Sequence, residues 1–222
     1  PSGRKHLVFY NPPVVNKPLG IRRSSILETK KLASHFISNK IQTILFTKSR
    51  LTVEVLVTYL KQLVQDALGG TKTVRGYRGG YLPTQRREIE RGLRSGDILG
   101  VVSTNALELG IDIGRLQACI MCGYPGTIAS TWQQAGRAGR RNDTSIAILV
   151  ASSNPLDQYI IQHPEFFLHA SPEHGLINPN NLYILISHIK CAAFELPFEE
   201  GENFGLDTLE PVLEFLQEEK VL

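Results

Sequence analysis

Between residues 41 and 151 short, mostly apolar runs alternate with stretches that carry apolar residues at helical spacing, and no other feature limits the fold so strongly. The runs at 41–46, 73–77, 97–102, 116–122 and 144–151 have the length of strands rather than of helices. Residues 51–68 and 83–93 read as amphipathic helices, the second with Pro83 in its first turn, where the missing N–H costs nothing. Strands that are apolar on both faces belong in a mostly parallel sheet covered by helices on both sides. The expected class is therefore α/β. Ligands of such sheets bind beyond the carboxyl ends of the strands, so the turns that follow each run are the places to look for function.

The flanks differ from this body. Residues 6–10 form one more short strand, and 11–20, opened by Asn11-Pro12-Pro13, read as an extended loop because prolines block helix and sheet donors. Residues 24–39 read as a helix with Ser24 or Ser25 as its cap and Glu28 placed for a capping box. After Ser152, Asn154-Pro155 opens a short helix. A connector punctuated by prolines follows, then apolar helices at 180–196 and 209–222. The expected organisation is a strand and linker from a preceding domain (1–22), the α/β domain (23–153), a connector (154–179) and a small helical segment (180–222). The start, Pro1-Ser2-Gly3-Arg4-Lys5-His6, has neither an initiator methionine nor a long apolar stretch, so it reads as the edge of a piece rather than as a signal peptide.

Four turns concentrate polar chemistry. Thr47-Lys48-Ser49-Arg50 joins a strand end to a helix start, and offers backbone N–H groups, hydroxyls and two cations to a phosphate. A capped turn with solvated cations is the plainer alternative. Tyr77-Arg78-Gly79-Gly80-Tyr81 reads either as a surface for single strands, with donors and two aromatic faces, or as a glycine turn between core tyrosines. Ser103-Thr104-Asn105 places hydroxyls and an amide at a third strand's end. In Gln133-Gln134-Ala135-Gly136-Arg137-Ala138-Gly139-Arg140-Arg141, Arg137 and Arg140 would share one face of a helical turn. Each interleaved glycine costs about 1 kcal/mol against alanine inside a helix, a cost that makes sense where backbone or ligand must approach closely. Arginine's planar fork suits pairs of phosphate oxygens.

These turns also carry a resemblance. Thr104-Asn105-Ala106-Leu107-Glu108-Leu109-Gly110-Ile111-Asp112 resembles motif V, and Gln133 to Arg140 resembles motif VI, of superfamily 2 helicases; Thr47 to Arg50 resembles motif IV. Together they mark a second RecA-like domain. The stretch Gly123-Tyr124-Pro125-Gly126-Thr127-Ile128-Ala129-Ser130-Thr131-Trp132 is similar to the RecQ-related Hrq/YprA-type DNA helicases, which carry a winged-helix domain next. The resemblance implies that Arg140 is an arginine finger, that Arg137 meets the same triphosphate and that Gln133 senses its γ-phosphate. It also implies that Gly110 and Asp112 hold the ribose, and that Thr47, Lys48, Arg50, Ser103 and Thr104 hold nucleic-acid backbone; the turns read directly add Ser49, Arg78, Gly79 and Asn105 as candidates for the same role.

ATP and magnesium would be held mainly by a first RecA-like domain of the same polypeptide, because no G-x-x-x-x-G-K-[ST] loop occurs here; the chain alone is expected not to hydrolyse ATP. Implied with this are a 3′-to-5′ DNA helicase, a role in DNA repair, and a cytoplasmic location in a bacterium or a nuclear one in a eukaryote. Where DEAD-box proteins have histidine and arginine, this chain has Gln133 and Gln134, and Glu108 replaces their motif V arginine. These departures point to DNA over RNA. An RNA helicase, a translocase that does not unwind, and a binding scaffold without a motor remain open.

Charge divides the chain. Residues 1–150 hold 22 Lys and Arg against 9 Asp and Glu, a net +13, whereas residues 151–222 are net −10. A basic body suits a polyanion, here single-stranded or partly duplex DNA with RNA not excluded; an acidic tail does not. There is no run of eighteen apolar residues, so neither a transmembrane helix nor a membrane partner is expected. Three cysteines suit a reducing compartment. Cys119 and Cys122 form a C-x-x-C inside an apolar run with no second pair, which favours burial over zinc, and the histidines show no ligand spacing, so no metal site is expected.

Binding of single strands should be weak, indifferent to sequence and steeply weakened by salt, with Lys48→Ala and Arg50→Ala lowering affinity for every sequence alike. A titration across salt concentrations checks this, and salt-independent affinity would contradict it.

Overall fold

The computed structural model describes residues 3–68, 73–109, 113, 116–139, 144–173, 175, 178, 181–199, 201–205 and 209–219, with backbone alone for 65–68. The chain divides into two compact units, Pro1–Glu173 and His174–Leu222. In the first, strands β1 (Lys5–Tyr10), β4 (Thr43–Phe46), β5 (Val74–Tyr77), β6 (Gly100–Ser103), β7 (Ala118–Cys122) and β8 (Ser145–Val150) make one sheet in the order β1-β8-β7-β4-β6-β5. Every ladder in it is parallel. Helices α1 (Ser25–Ser38), α2 (Arg50–Leu68), α3 (Pro83–Ser95), α4 (Ile128–Ala135), α5 (Pro155–Gln162) and α6 (Pro164–His169) complete the unit, with a small antiparallel pair, β2 (Val14–Asn16) and β3 (Ile21–Arg22).

Because side chains alternate across a strand, the central strands feed two cores. Ile44, Phe46, Val101, Cys119, Met121, Ala147 and Leu149 join Leu93, Ile128 and Ile160 on one face. Leu45, Val102, Ile120, Ile148 and Val150 join Ala33, Ile37, Leu56 and Leu60 on the other. This is the expected sheet with helices on both faces.

Several details depart from the sequence reading. The first strand, read with an incoming linker, is an edge of the main sheet. It pairs with β8 from Lys5↔Ser145 to Tyr10↔Val150, with Leu7 and Phe9 packed on one core and Tyr10 on the other. Within residues 11–20, read as an extended loop, Val14–Asn16 forms β2 and pairs with β3 just beyond the loop. Helix α6 occupies part of the expected connector because Phe167 is fully buried, stacked on Trp132 at 5.2 Å and edge-on to Phe9 at 5.7 Å. Ser24 makes no side-chain cap to α1, and Glu28 is not in a capping box. Instead Glu28 is buried and accepts bonds from the Tyr10 hydroxyl at 2.7 Å and from Arg23 at 3.1 Å. Cys119 is fully buried, its thiol pushed up to about 12 by burial. Among the described residues, no group of three or more His, Cys, Asp or Glu could hold a metal, and no helix is long and apolar enough to cross a membrane.

The second unit is helical. Asn181 accepts from the backbone N–H groups of Tyr183 and Ile184 and so starts α7 (Leu182–Glu195). Leu185 and Ile189 of α7 meet Leu209 and Leu216 of α8 (Leu209–Glu218).

The Glu28 carboxyl lies below its usual range, first because Tyr10 bonds its charged form and then because Arg23 does, against the opposing effect of burial. A group whose pKa falls on folding stabilises above its unfolded value and loses that contribution as pH drops through the folded one. Denaturation midpoints should therefore decline as pH falls below the ordinary glutamate range, and Glu28→Gln should lower the neutral-pH midpoint while flattening that decline. An unchanged acid limb in Glu28→Gln would assign the decline to other groups.

Candidate functional site

Parallel pairing brings all six carboxyl ends to one rim. Phe46 lies opposite both Ser103 and Met121, Tyr77 opposite Ser103, and Cys122 opposite Val150. The turns after β4, β6 and β7 therefore surround a single open cleft of about 350 Å³, lined by Thr47, Lys48, Thr104, Asn105, Glu108 and Gln134 among others.

The cleft is built from the backbone outward. Thr47 N–H donates to the Ser103 carbonyl at 2.9 Å, which joins the first two turns. Thr47 is buried, its hydroxyl donating to Ser49 O at 3.1 Å. Ser49 is engaged locally: its Oγ accepts from Thr52 N–H at 3.0 Å and bonds the Thr52 hydroxyl at 2.7 Å, an N-cap for α2. Lys48 and Arg50 are exposed. Both readings of this turn thus hold in part, with a capped helix start and two cations turned to solvent. Ser103 is fully buried, its Oγ has no hydrogen-bond partner and it does not line the cleft. Thr104 and Asn105 do, at the start of the 3-10 turn Asn105–Leu107.

The turn after β5 is a different surface. Arg78 Nε donates to Glu54 Oε1 at 3.0 Å, its guanidinium lies over the Tyr81 ring at 4.9 Å, and the Tyr81 hydroxyl reaches the same carboxylate oxygen at 3.2 Å. Tyr77 is buried, its phenol donating to Glu90 at 2.8 Å and pushed up to about 12 by burial and that carboxylate. Tyr77 thus belongs to the core, whereas Tyr81 is half-buried against it and Gly79 and Gly80 are exposed. The glycine that packing demands is Gly76, where a Cβ would come within 2.8 Å of the Tyr81 hydroxyl; Gly79 faces open space.

The arginine segment also differs from its expected shape. Helix α4 ends at Ala135 with Gly136 as its C-cap, so Arg137 sits in the turn beyond rather than on a continuing helical face. Arg140, Gly110 and Asp112 lie outside the described residues. Gln133 is exposed, whereas Gln134 and Arg137 are buried. Arg137 Nε donates to the Glu108 carbonyl at 2.8 Å, and a terminal nitrogen of the same guanidinium donates to that oxygen too. Gln134 Nε2 donates to Glu108 Oε2 at 2.8 Å. One residue therefore joins the turn after β6 to the arginine turn, through its carbonyl and its carboxylate. Gly139 is required by its neighbour strand: its φ is 86°, and a Cβ there would lie 2.2 Å from Ser145 Oγ.

Two positioning residues have no clear sequence signal. Asp157, in the first turn of α5, is buried. Its Oδ2 accepts from Tyr124 N–H, Ser152 N–H and the Ser152 hydroxyl, which ties the turns after β7 and β8 together. Glu173 accepts from the N–H groups of Ile128 and Ala129 at 2.6 and 3.0 Å. Both contacts span loops whose closure cannot be read locally. For Glu108 a signal existed, because it is one of three positions that depart from the DEAD-box pattern, and two of the three, 108 and 134, touch each other.

Comparison with known proteins agrees with this geometry. The profile of the helicase conserved C-terminal domain matches residues 28–142. Over all 222 residues the chain is 63% identical to the uncharacterized ATP-dependent helicase YprA of Bacillus subtilis, spanning 30% of that protein. It is 42% identical to the ATP-dependent helicase HRQ1 of Saccharomyces cerevisiae over 212 residues, 92% of this chain and 20% of the relative. The crystal structure of the DUF1998 helicase MrfA bound to DNA and AMPPNP superposes with a TM-score of 0.92 at 62% identity, over 99% of this chain and 30% of that one. The chain thus spans under a third of the length of each of these three relatives.

A double-mutant cycle tests the link through residue 108. Glu108→Ala, Gln134→Ala and the double variant should show a coupling of about 0.5–3 kcal/mol in urea denaturation, since a charge-assisted bond is lost once and not twice. Additive losses would mean that the two side chains act independently.

Proposed function

Because the chain belongs to the helicase conserved C-terminal domain family, we propose that it is the second motor domain of an ATP-dependent 3′-to-5′ DNA helicase, acting with a first RecA-like domain of the same polypeptide. The observation that carries this reading is the continuity from the cleft that holds Lys48, Thr104 and Asn105, through Glu108, to the Arg137 turn. In this reading the cleft grips DNA phosphates, with Lys48 and Arg50 as exposed cations and Thr104 and Asn105 as shorter-range donors, while Thr47, whose two donors are spent on the Ser103 and Ser49 carbonyls, holds the turn in place. Base edges are not read, so the grip tolerates any sequence. The 3′-to-5′ direction and the preference for DNA rest on the similarity to the Hrq/YprA branch.

Arg137 and Arg140 would act on a triphosphate held opposite them. The donor set fits that group: Arg137 is a buried guanidinium whose orientation is held by a backbone carbonyl, which suits a phosphate oxygen rather than a metal ion. Bound ATP with magnesium supplies the phosphoryl chemistry, and in this reading the ion falls to the first domain. This chain's share is charge placement. A positioned guanidinium stabilises negative charge as it develops in the transition state and needs no reorganisation to do so. Gln133, exposed at the end of α4, is available to the γ-phosphate; the assignment of Gly110 and Asp112 to the ribose rests on the resemblance of residues 104–112 to motif V. Displacement of Glu108 by a strand in the cleft would shift the arginine turn directly, which couples grip to hydrolysis.

In the intact protein, Arg140→Ala should lower the hydrolysis rate by about 10³-fold or more with ATP binding nearly unchanged, and Arg140→Lys should not restore it. Arg137→Ala should weaken both nucleotide affinity and turnover. Steady-state hydrolysis and nucleotide-binding measurements decide this; near-normal turnover in Arg140→Ala would remove the pair from the catalytic site.

A further inference from the structure

Helix α4 is eight residues long, and a helix of that length is marginal in water without tertiary support. It nonetheless carries Gln133 and Gln134 and sets where the Arg137 turn begins. Its own cap is partial: Thr127 Oγ1 accepts from Ser130 N–H at 3.0 Å, which leaves the N–H groups of Ile128 and Ala129 to be satisfied otherwise. Both donate to the Glu173 carboxylate, 45 and 44 residues away. At the other end, the Ala135 carbonyl accepts from Lys5 Nζ at 2.8 Å, across 130 residues. An anion thus sits at the positive end of the helix dipole and a cation at the negative end, the stabilising sense at each.

The same lysine reaches the arginine turn. A Cβ at Gly139 would lie 3.5 Å from Lys5 Cε, Gly139 N–H donates to the Leu116 carbonyl at 3.0 Å, and Ser145 N–H donates to Arg4 O at 2.9 Å. Lys5 therefore bonds the residue where α4 ends and lies beside the open face of Gly139, in the turn after Arg137. Lys5 and Glu173 both lie outside the stretch 28–142 matched by the family profile.

We propose that Lys5 and Glu173 form a charge clamp on α4 and are positioning residues for the arginine turn, setting where Arg137 stands relative to Glu108 and to the nucleotide. The inference rests on the catalytic reading of that turn. Neither side chain touches nucleotide or strand in this role. The clamp holds the axial position of a short helix, so releasing either end shifts the guanidinium without removing it.

The test uses the intact protein and strand-stimulated ATP hydrolysis, with Arg137→Ala as the reference. Lys5→Met and Glu173→Ala should each lower kcat by about 10- to 100-fold and weaken ATP affinity in the same direction as Arg137→Ala but by less, with single-strand affinity changed by no more than about twofold. Lys5→Arg, which keeps charge and reach, should restore most of the rate. If Arg137→Ala is impaired while Lys5→Met and Glu173→Ala keep full kcat, the clamp is overturned and the arginine reading stands. If Arg137→Ala turns over normally, that reading falls and the clamp with it. A loss in Lys5→Met that Lys5→Arg does not restore overturns the part assigned to charge. Should Lys5→Met abolish the cooperative melt, Glu173→Ala, at the opposite end of the same helix, carries the same outcomes.

Discussion

The central strand β4 is the constraint on which the rest of the structure depends. It is buried along its whole length and pairs in parallel with both β6 and β7. A parallel pair cannot be joined by a tight hairpin, so each return passes through a crossover on a face of the sheet. Two consequences follow together: the alternating side chains fill a core on each face, and the carboxyl ends all open on the same rim. The polar turns are neighbours because the ladder makes them so, although Thr47 and Thr104 are far apart in sequence.

On that rim the decisive contacts run through Glu108. Its carbonyl holds Arg137 and its carboxylate holds Gln134, so the turn that faces the cleft is tied both to the end of α4 and to the turn that carries the arginine. A low-dielectric setting strengthens such bonds and raises the cost of breaking any one of them. The pairing also accounts for two departures from the DEAD-box pattern at once: an acid at 108 and an amide at 134 form a complementary pair, whereas an arginine at both positions would repel.

Much of the remaining order comes from polar groups that bridge long loops. Glu28 ties α1 to β1 through Tyr10, Asp157 ties the turns after β7 and β8, and Lys5 and Glu173 hold the two ends of α4. Asp157, Lys5 and Glu173 satisfy backbone groups left over at element ends, and Glu28 satisfies two side chains, the Tyr10 phenol and the Arg23 guanidinium. A buried polar group is costly unless it is bonded, so each contact specifies one arrangement of its loop. Local pattern could not reveal them, and the misreading of Glu28 shows why: three residues after Ser25 it matches a capping box, yet its partners are a phenol 18 residues upstream and Arg23.

The sequence by itself determined the class of fold and the residues to watch. Apolar period and length distinguish strand from helix, and five such strands in alternation leave the parallel sheet as the way to bury them. The turns at 47–50, 103–105 and 133–140 were legible because cations, hydroxyls and glycines there do nothing for a core. Only the tertiary structure decided how those residues are used. It buried Ser103 and left Lys48 exposed, spent Ser49 on a helix cap, closed Tyr77 into the core with Tyr81 against its edge, ended α4 before Arg137 and drew β1 into the sheet. The physical reason is the same in each case: local sequence sets which conformations are cheap, but burial and the pairing of polar groups depend on what lies across the chain, and that is settled only when the sheet has closed.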